Sequence, residues 1–80
     1  MKAIIHIQPR SGVLDPQGQA VAGALQHMGF DGVQDVRQGK VIELVLEEKD
    51  EAKVRQRVTK MCEQLLANTV IEDYSITLEP

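Results

Sequence analysis

The side chains in this 80-residue chain from which chemistry could start are His6, His27, Cys62 and the carboxylates Glu47, Glu48, Asp50 and Glu51. A nucleophile needs a base within hydrogen-bond reach, and no motif ties a serine or cysteine to either histidine. Nor do Cys62, His6 and His27 show the CxxC or HxxxH spacing of a zinc site. Cys62 falls on or beside the apolar stripe of a predicted helix, where a thiol reads as a small, inert core residue. The carboxylates precede that helix, which suits a solvated N-terminus favoured by the helix dipole. Ser11 to Gly18 lead into another helix N-terminus, a place where anions bind. That stretch matches neither the P-loop nor the dinucleotide fingerprint, and Asp15 puts a negative charge where a phosphate would sit. The expectation is a chain with no catalytic residue and no metal site of its own, one that works by assembling with larger partners.

Length and composition point the same way. Eighty residues make one domain, 1–80, that buries little more than ~60% of its unfolded surface. Domains this small recover stability from disulfides, metals or association. With one cysteine there is no intrachain disulfide, so association remains. The net charge is −3, and Phe30 and Tyr74 are the only aromatic residues. A nucleic-acid binder needs a basic face and, for single strands, stacking aromatics, so nucleic acid is excluded as a partner. The lone cysteine, the absence of an apolar h-region after Met1 and the lack of any apolar run near ~18 residues predict a soluble, cytoplasmic protein with no membrane contact.

The elements that would position these residues follow from periodicity. Residues 2–8 alternate as a strand, with Ala3, Ile5 and Ile7 on one side and Lys2, Ile4, His6 and Gln8 on the other. Pro9-Arg10-Ser11-Gly12 reads as a loop. Asp15 before Pro16 is an N-cap followed by an N1 proline, so a helix is predicted over 16–28. Val21, Ala24, Leu25 and Met28 form its stripe, and Gly29 suits the C′ position. Gly18 and Gly23 inside this helix predict that a sheet or a partner approaches it closely. Strands are predicted over 33–37 and 40–47, joined by a hairpin turn at Gln38-Gly39. In the second of them Ile42, Leu44 and Leu46 share one face. Val41, Glu43 and Val45 make a largely apolar opposite face, which either meets a second subunit or is simply exposed.

Asp50 caps a second helix over 51–67, with Val54, Val58, Met61, Leu65 and Cys62 along its buried stripe and a favourable Glu51–Arg55 pair. Asn68 stops it. A last strand over 70–78 aligns Tyr74, Ile76 and Leu78. The order βαββαβ gives an α+β two-layer sandwich, an antiparallel sheet with both helices on one face. Its bare face is the natural place for a second copy, in a sheet-mediated dimer or higher oligomer.

Three segments carry a family resemblance. These are Gly12-Val13-Leu14-Asp15-Pro16-Gln17-Gly18, then Asp35-Val36-Arg37-Gln38-Gly39-Lys40-Val41-Ile42-Glu43-Leu44, and lastly Met61-Cys62-Glu63-Gln64-Leu65-Leu66-Ala67-Asn68 with Val70-Ile71-Glu72-Asp73-Tyr74. In this order and spacing the chain resembles the PurS family, the small subunit of phosphoribosylformylglycinamidine synthase in de novo purine biosynthesis. The resemblance implies an accessory subunit of an ATP-dependent, glutamine-hydrolysing ligase. A synthetase subunit (PurL) would bind ATP, magnesium and formylglycinamide ribonucleotide, and a glutaminase subunit (PurQ) would release ammonia from glutamine. The small subunit would form dimers through its sheets, bridge the two partners, assist ammonia transfer and bind no cofactor itself.

Within the matched strings, Asp15 and Pro16 fix the helix start and Gly39 permits the turn, which are structural roles. Neither a turn nor a strand requires the side chains of Arg37, Lys40 and Glu43, so these are assigned to a polar partner interface, together with Asn68 and Tyr74. The competing reading of the three charges is a solvated hairpin tip. Two departures from the family pattern stand out. Thr69 replaces the usual proline after Ala-Asn, restoring an N–H donor, and Gln8-Pro9-Arg10-Ser11 replaces a shorter lysine-bearing stretch. The alternative function is a small ferredoxin-like regulatory module binding a ligand, which the fold would permit but no polar pocket in the sequence suggests.

Overall fold

The computed structural model describes residues Met1–Pro80. Strand β1 (Lys2–Pro9) alternates as its sequence dictates, with Ala3, Ile5 and Ile7 essentially sealed from solvent and His6 and Gln8 exposed. It lies at the centre of a three-stranded antiparallel sheet of order β2-β1-β3, between β2 (Lys40–Val45) and β3 (Glu72–Glu79). The register puts Leu44, Ala3 and Leu78 in one row, Ile42, Ile5 and Ile76 in the next, and Lys40, Ile7 and Tyr74 in a third. Period-2 alternation sends all of these to one face of the sheet.

Helix α2 (Glu51–Met61) covers that face. Asp50 caps it, its carboxylate accepting from the amides of Ala52 at 3.0 Å and Lys53 at 3.4 Å. Val54, Val58 and Cys62 are fully buried against the strands. The predicted helix thus forms, but its last turn differs. Residues Cys62–Leu66 form a π-turn, closed by the Ala67 amide donating to the Cys62 carbonyl five residues back at 3.0 Å. The wider turn changes which side chains face the sheet. Leu66 packs against the core, while Leu65, predicted on the stripe, stands 82% exposed.

Helix α1 (Pro16–His27) begins where predicted. Asp15 is its N-cap, Pro16 occupies the first turn and Gly29, at φ +94°, follows the Met28 C-cap. Its position departs from the expected sandwich. No residue of α1 joins the core or the apolar side chains packed around it. Leu14, Met28 and Phe30, at 66%, 72% and 55% exposure, surround it with apolar surface open to solvent. The molecule measures 49 × 25 × 15 Å with a radius of gyration of 16.1 Å, against ~12 Å for a compact chain of this length.

The α+β class and antiparallel sheet hold, with three strands where four were predicted. Residues 33–39 are not a strand, and no hairpin forms at Gln38-Gly39. The reason lies in what holds them. The Gln38 amide donates to the Asp15 carboxylate at 2.7 Å, and Gly39 lies so close to the Ile7 carbonyl oxygen that a side chain there would collide with it. The segment is therefore pinned to the start of α1 and to the end of β1, and cannot fold back along β2. Gly39 serves close backbone approach rather than a turn.

Candidate partner interface

The two strings richest in conspicuous residues, 12–18 and 35–44, meet in space. One oxygen of the Asp15 carboxylate accepts from the Gly18 amide at 3.1 Å, and the other from Gln38 of the returning segment. These bonds, chiefly that from Gln38, hold the Asp15 pKa below the usual carboxylate range. Arg37 completes the junction. Its Nη1 donates to the Arg10 carbonyl at 2.8 Å and reaches that of Val13 at 3.5 Å, while Nε pairs with Asp35 at 3.1 Å. Gly18 is buried there, and a Cβ at this position would collide with the Val36 carbonyl oxygen. The close approach predicted for α1 is thus made by the loop at Val36, at Gly18 alone. Gly23 has open space around it.

A shallow cleft of about 220 Å³ marks this junction, lined by Leu14, Asp15, Gln19, Val36 and Arg37 among others. Its walls present two carboxylates, Asp15 bonded to main-chain amides and Asp35 paired with Arg37, and one guanidinium already bonded to main-chain carbonyls. Nothing in that set resembles an acid–base pair.

The remaining interface residues lie apart from one another. Lys40 opens β2, paired with Ile7, and its side chain makes no ion pair within the chain. Glu43 is on the bare face of the sheet, 3.4 Å from Lys2. Asn68 is spent on local geometry: its side chain accepts from the Val70 amide at 3.2 Å, its carbonyl from Ile71 and Glu72, and its own amide donates to the Glu72 carboxylate at 2.7 Å. The Asx-turn so formed carries the chain from the π-turn into β3. Tyr74 packs at the edge of the core, where burial and then the nearby Glu63 carboxylate push its phenol pKa up. The structure thus joins Arg37, Asp15 and Gly39 in one neighbourhood with Lys40 beside it, and leaves Glu43, Asn68 and Tyr74 elsewhere.

The bare sheet face was legible by alternation. It carries Ile4 between Glu43 and Thr77, His6 between Val41 and Ser75, and Lys2 between Val45 and Glu79. Val45 is 87% exposed. The junction at Asp15, Val36 and Arg37 was not legible, since its bonds span 23 to 27 residues and no local period reports them. Gly18 gave the only sequence signal of it. No group of three or more His, Cys, Asp or Glu side chains comes together, and no helix is long and apolar enough to cross a membrane.

Comparison with known proteins gives this architecture a family. Residues 2–80 match the family model described as PurS, phosphoribosylformylglycinamidine (FGAM) synthase. The PurS subunit of Synechocystis is 57% identical over 70 residues, 88% of this chain and 70% of that protein. The PurS subunit of Bacillus subtilis is 49% identical over 78 residues, 98% and 92% of the two chains. A crystal structure of B. subtilis PurS superposes with a TM-score of 0.90 at 48% identity, covering 99% of this chain and 98% of that one. A chain in the structure of PurLQS from Thermotoga maritima superposes with a TM-score of 0.84 at 37% identity, covering 95% and 93%. With a family match over almost its whole length and relatives near half identity, the chain belongs to the PurS family of phosphoribosylformylglycinamidine synthase subunits.

Proposed function

We propose that this chain is the non-catalytic joint of a phosphoribosylformylglycinamidine synthase complex, held between an ATP-dependent synthetase and a glutaminase and assisting ammonia to pass from one to the other. The observation that carries the reading is the pairing of a PurS fold with a shape its own core does not close. Half of the chain's secondary layer, helix α1, buries nothing against the sheet, and the opposite sheet face is bare. A marginal core with two uncovered surfaces is stabilised by association. A second copy on the bare sheet face and larger partners elsewhere would supply the missing cover, in the cytoplasm where purine synthesis proceeds. ATP and magnesium belong to the synthetase in this reading. Arg37, Lys40, Glu43, Asn68 and Tyr74 are the candidate partner contacts, at separate places on the molecule, Lys40 most directly because its side chain makes no ion pair within the chain.

The test mixes the purified chain with the synthetase and glutaminase of the same cell. Glutamine-dependent synthesis of formylglycinamidine ribonucleotide should require it, whereas synthesis from added ammonia should need it less. Equal glutamine-dependent rates with and without the chain would overturn the reading. Equal dependence with either nitrogen source would remove the transfer role and leave a stabilising one.

A further inference from the structure

The two edges of the sheet are not alike. On β2 the direction of each main-chain group follows from the ladder. Met1 and Leu46 exchange both N–H···O bonds at 2.8 Å, so antiparallel alternation makes Ala3–Leu44 and Ile5–Ile42 bonded pairs as well. The residues between them on β2 are not bonded to β1. The amides and carbonyls of Val41, Glu43 and Val45 therefore point away from β1, along the open edge.

Sheets guard such an edge with proline, a bulge, a covering element or charge. β2 contains no proline, and its register with β1 runs without a break. Helix α2 packs toward β3, and segment 33–39 is held at the start of α1 through Asp15. Val41 and Val45 stand 58% and 87% exposed beside the open amides. β3 is guarded: Glu72, Asp73 and Glu79 lie at its ends, it has no cation, and Pro80 follows. Two β3 edges brought together would set carboxylates against carboxylates. β2 carries one cation and one acid, Lys40 and Glu43, so two copies of it bring no net charge together.

Antiparallel self-pairing about Glu43 also matches apolar with apolar. Val41 meets Val45 of the second copy on the bare face, and Ile42 meets Leu44 of the second copy on the face that α2 covers. Ile42, Leu44 and Leu46 are only half-buried at the margin of the core, and their rows continue into the second copy. The one like-charge meeting is Glu43 with its own counterpart, and Lys2, 3.4 Å from that carboxylate, offsets it.

We propose that the outer edge of β2 is a self-association surface, on which a second copy adds its own β2 antiparallel and the two sheets continue as one. This interface is separate from packing on the bare sheet face, and it does not depend on the complex role.

Amide exchange of the unaltered full-length chain, at concentrations where light scattering shows association, reads the edge directly. The amides of Val41, Glu43 and Val45 should exchange at least ~tenfold more slowly there than after dilution to single chains, while Ile42 and Leu44, bonded to β1, stay slow in both. Free exchange of the three in the associated protein would overturn the proposal, since cover on the bare face alone leaves an edge amide unpaired. So would a chain that stays at 8.9 kDa at every concentration. Two variants separate edge from face. Glu43→Ala removes the side chain from the bare face and keeps the outward amide, so association should hold or strengthen. Glu43→Pro removes that amide too without touching a bond to β1, and should halve the mass measured for Glu43→Ala. Equal masses for the two variants would sink the edge pairing. If Glu43→Pro does not fold, exchange in the unaltered chain still decides.

Discussion

Asp15 shows how one side chain can serve two elements. It accepts from Gly18 to start α1 and from Gln38 to tie down the returning segment. Its folded pKa is depressed, so the stability it contributes is present above the unfolded carboxylate pKa and is lost as pH falls through the folded one. The junction should therefore loosen below about pH 4, and Asp15→Asn should flatten that acid response, read as amide exchange of Gln38 against pH. The two helix glycines predict opposite signs. Gly18→Ala should destabilise by ~2 kcal/mol or more, because the obstacle is the Val36 backbone and not a flexible side chain. Gly23→Ala should stabilise by up to ~1 kcal/mol, since its surroundings are open. Thermal melts of the two variants decide both.

At the scale of elements, α2 and its π-turn fix which residues make the core. Val58→Ala should cost ~2 kcal/mol through lost burial and the cavity left behind. Leu65→Gln should change stability by no more than ~0.5 kcal/mol, although a straight helix would place Leu65 on the same buried stripe. Denaturant titration of both variants tests the π-turn directly, and a large loss at Leu65 would mean the helix continues as α in solution. Segment 33–39 is a second case. Arg37→Ala should raise amide exchange across 10–13 and 36–38 while the β1–β3 ladder stays protected, and lysine at 37 should not restore it, because one ammonium cannot reproduce the guanidinium fork.

The whole molecule is long and thin, with α1 apart from the core and one sheet face uncovered. The chain should accordingly run in solution as at least two copies, measured by light scattering, and a mass of 8.9 kDa, that of one chain, would contradict a sheet-mediated dimer. Exposed Val45 and Val41 lie on that face, so Val45→Lys with Val41→Lys should shift the population toward monomer without disturbing Val54 and Val58 on the other side.

Local chemistry determined most of the elements. Asp15-Pro16 and Asp50 set helix starts, Gly29 a helix end, and alternation the inward faces of β1, β2 and β3, because caps and periods act over a few residues. The matched strings also pointed to the PurS family. Tertiary structure decided the rest. It bonded Gln38 to Asp15 and packed the backbone of Val36 against Gly18 and of Gly39 against Ile7, which turned a plausible hairpin into a pinned irregular segment. It inserted a π-turn that sent Leu65 outward, and it left α1 off the sheet. Each outcome depends on which groups distant in sequence compete for the same amide, carbonyl or apolar surface, and a single sequence read locally does not contain that competition.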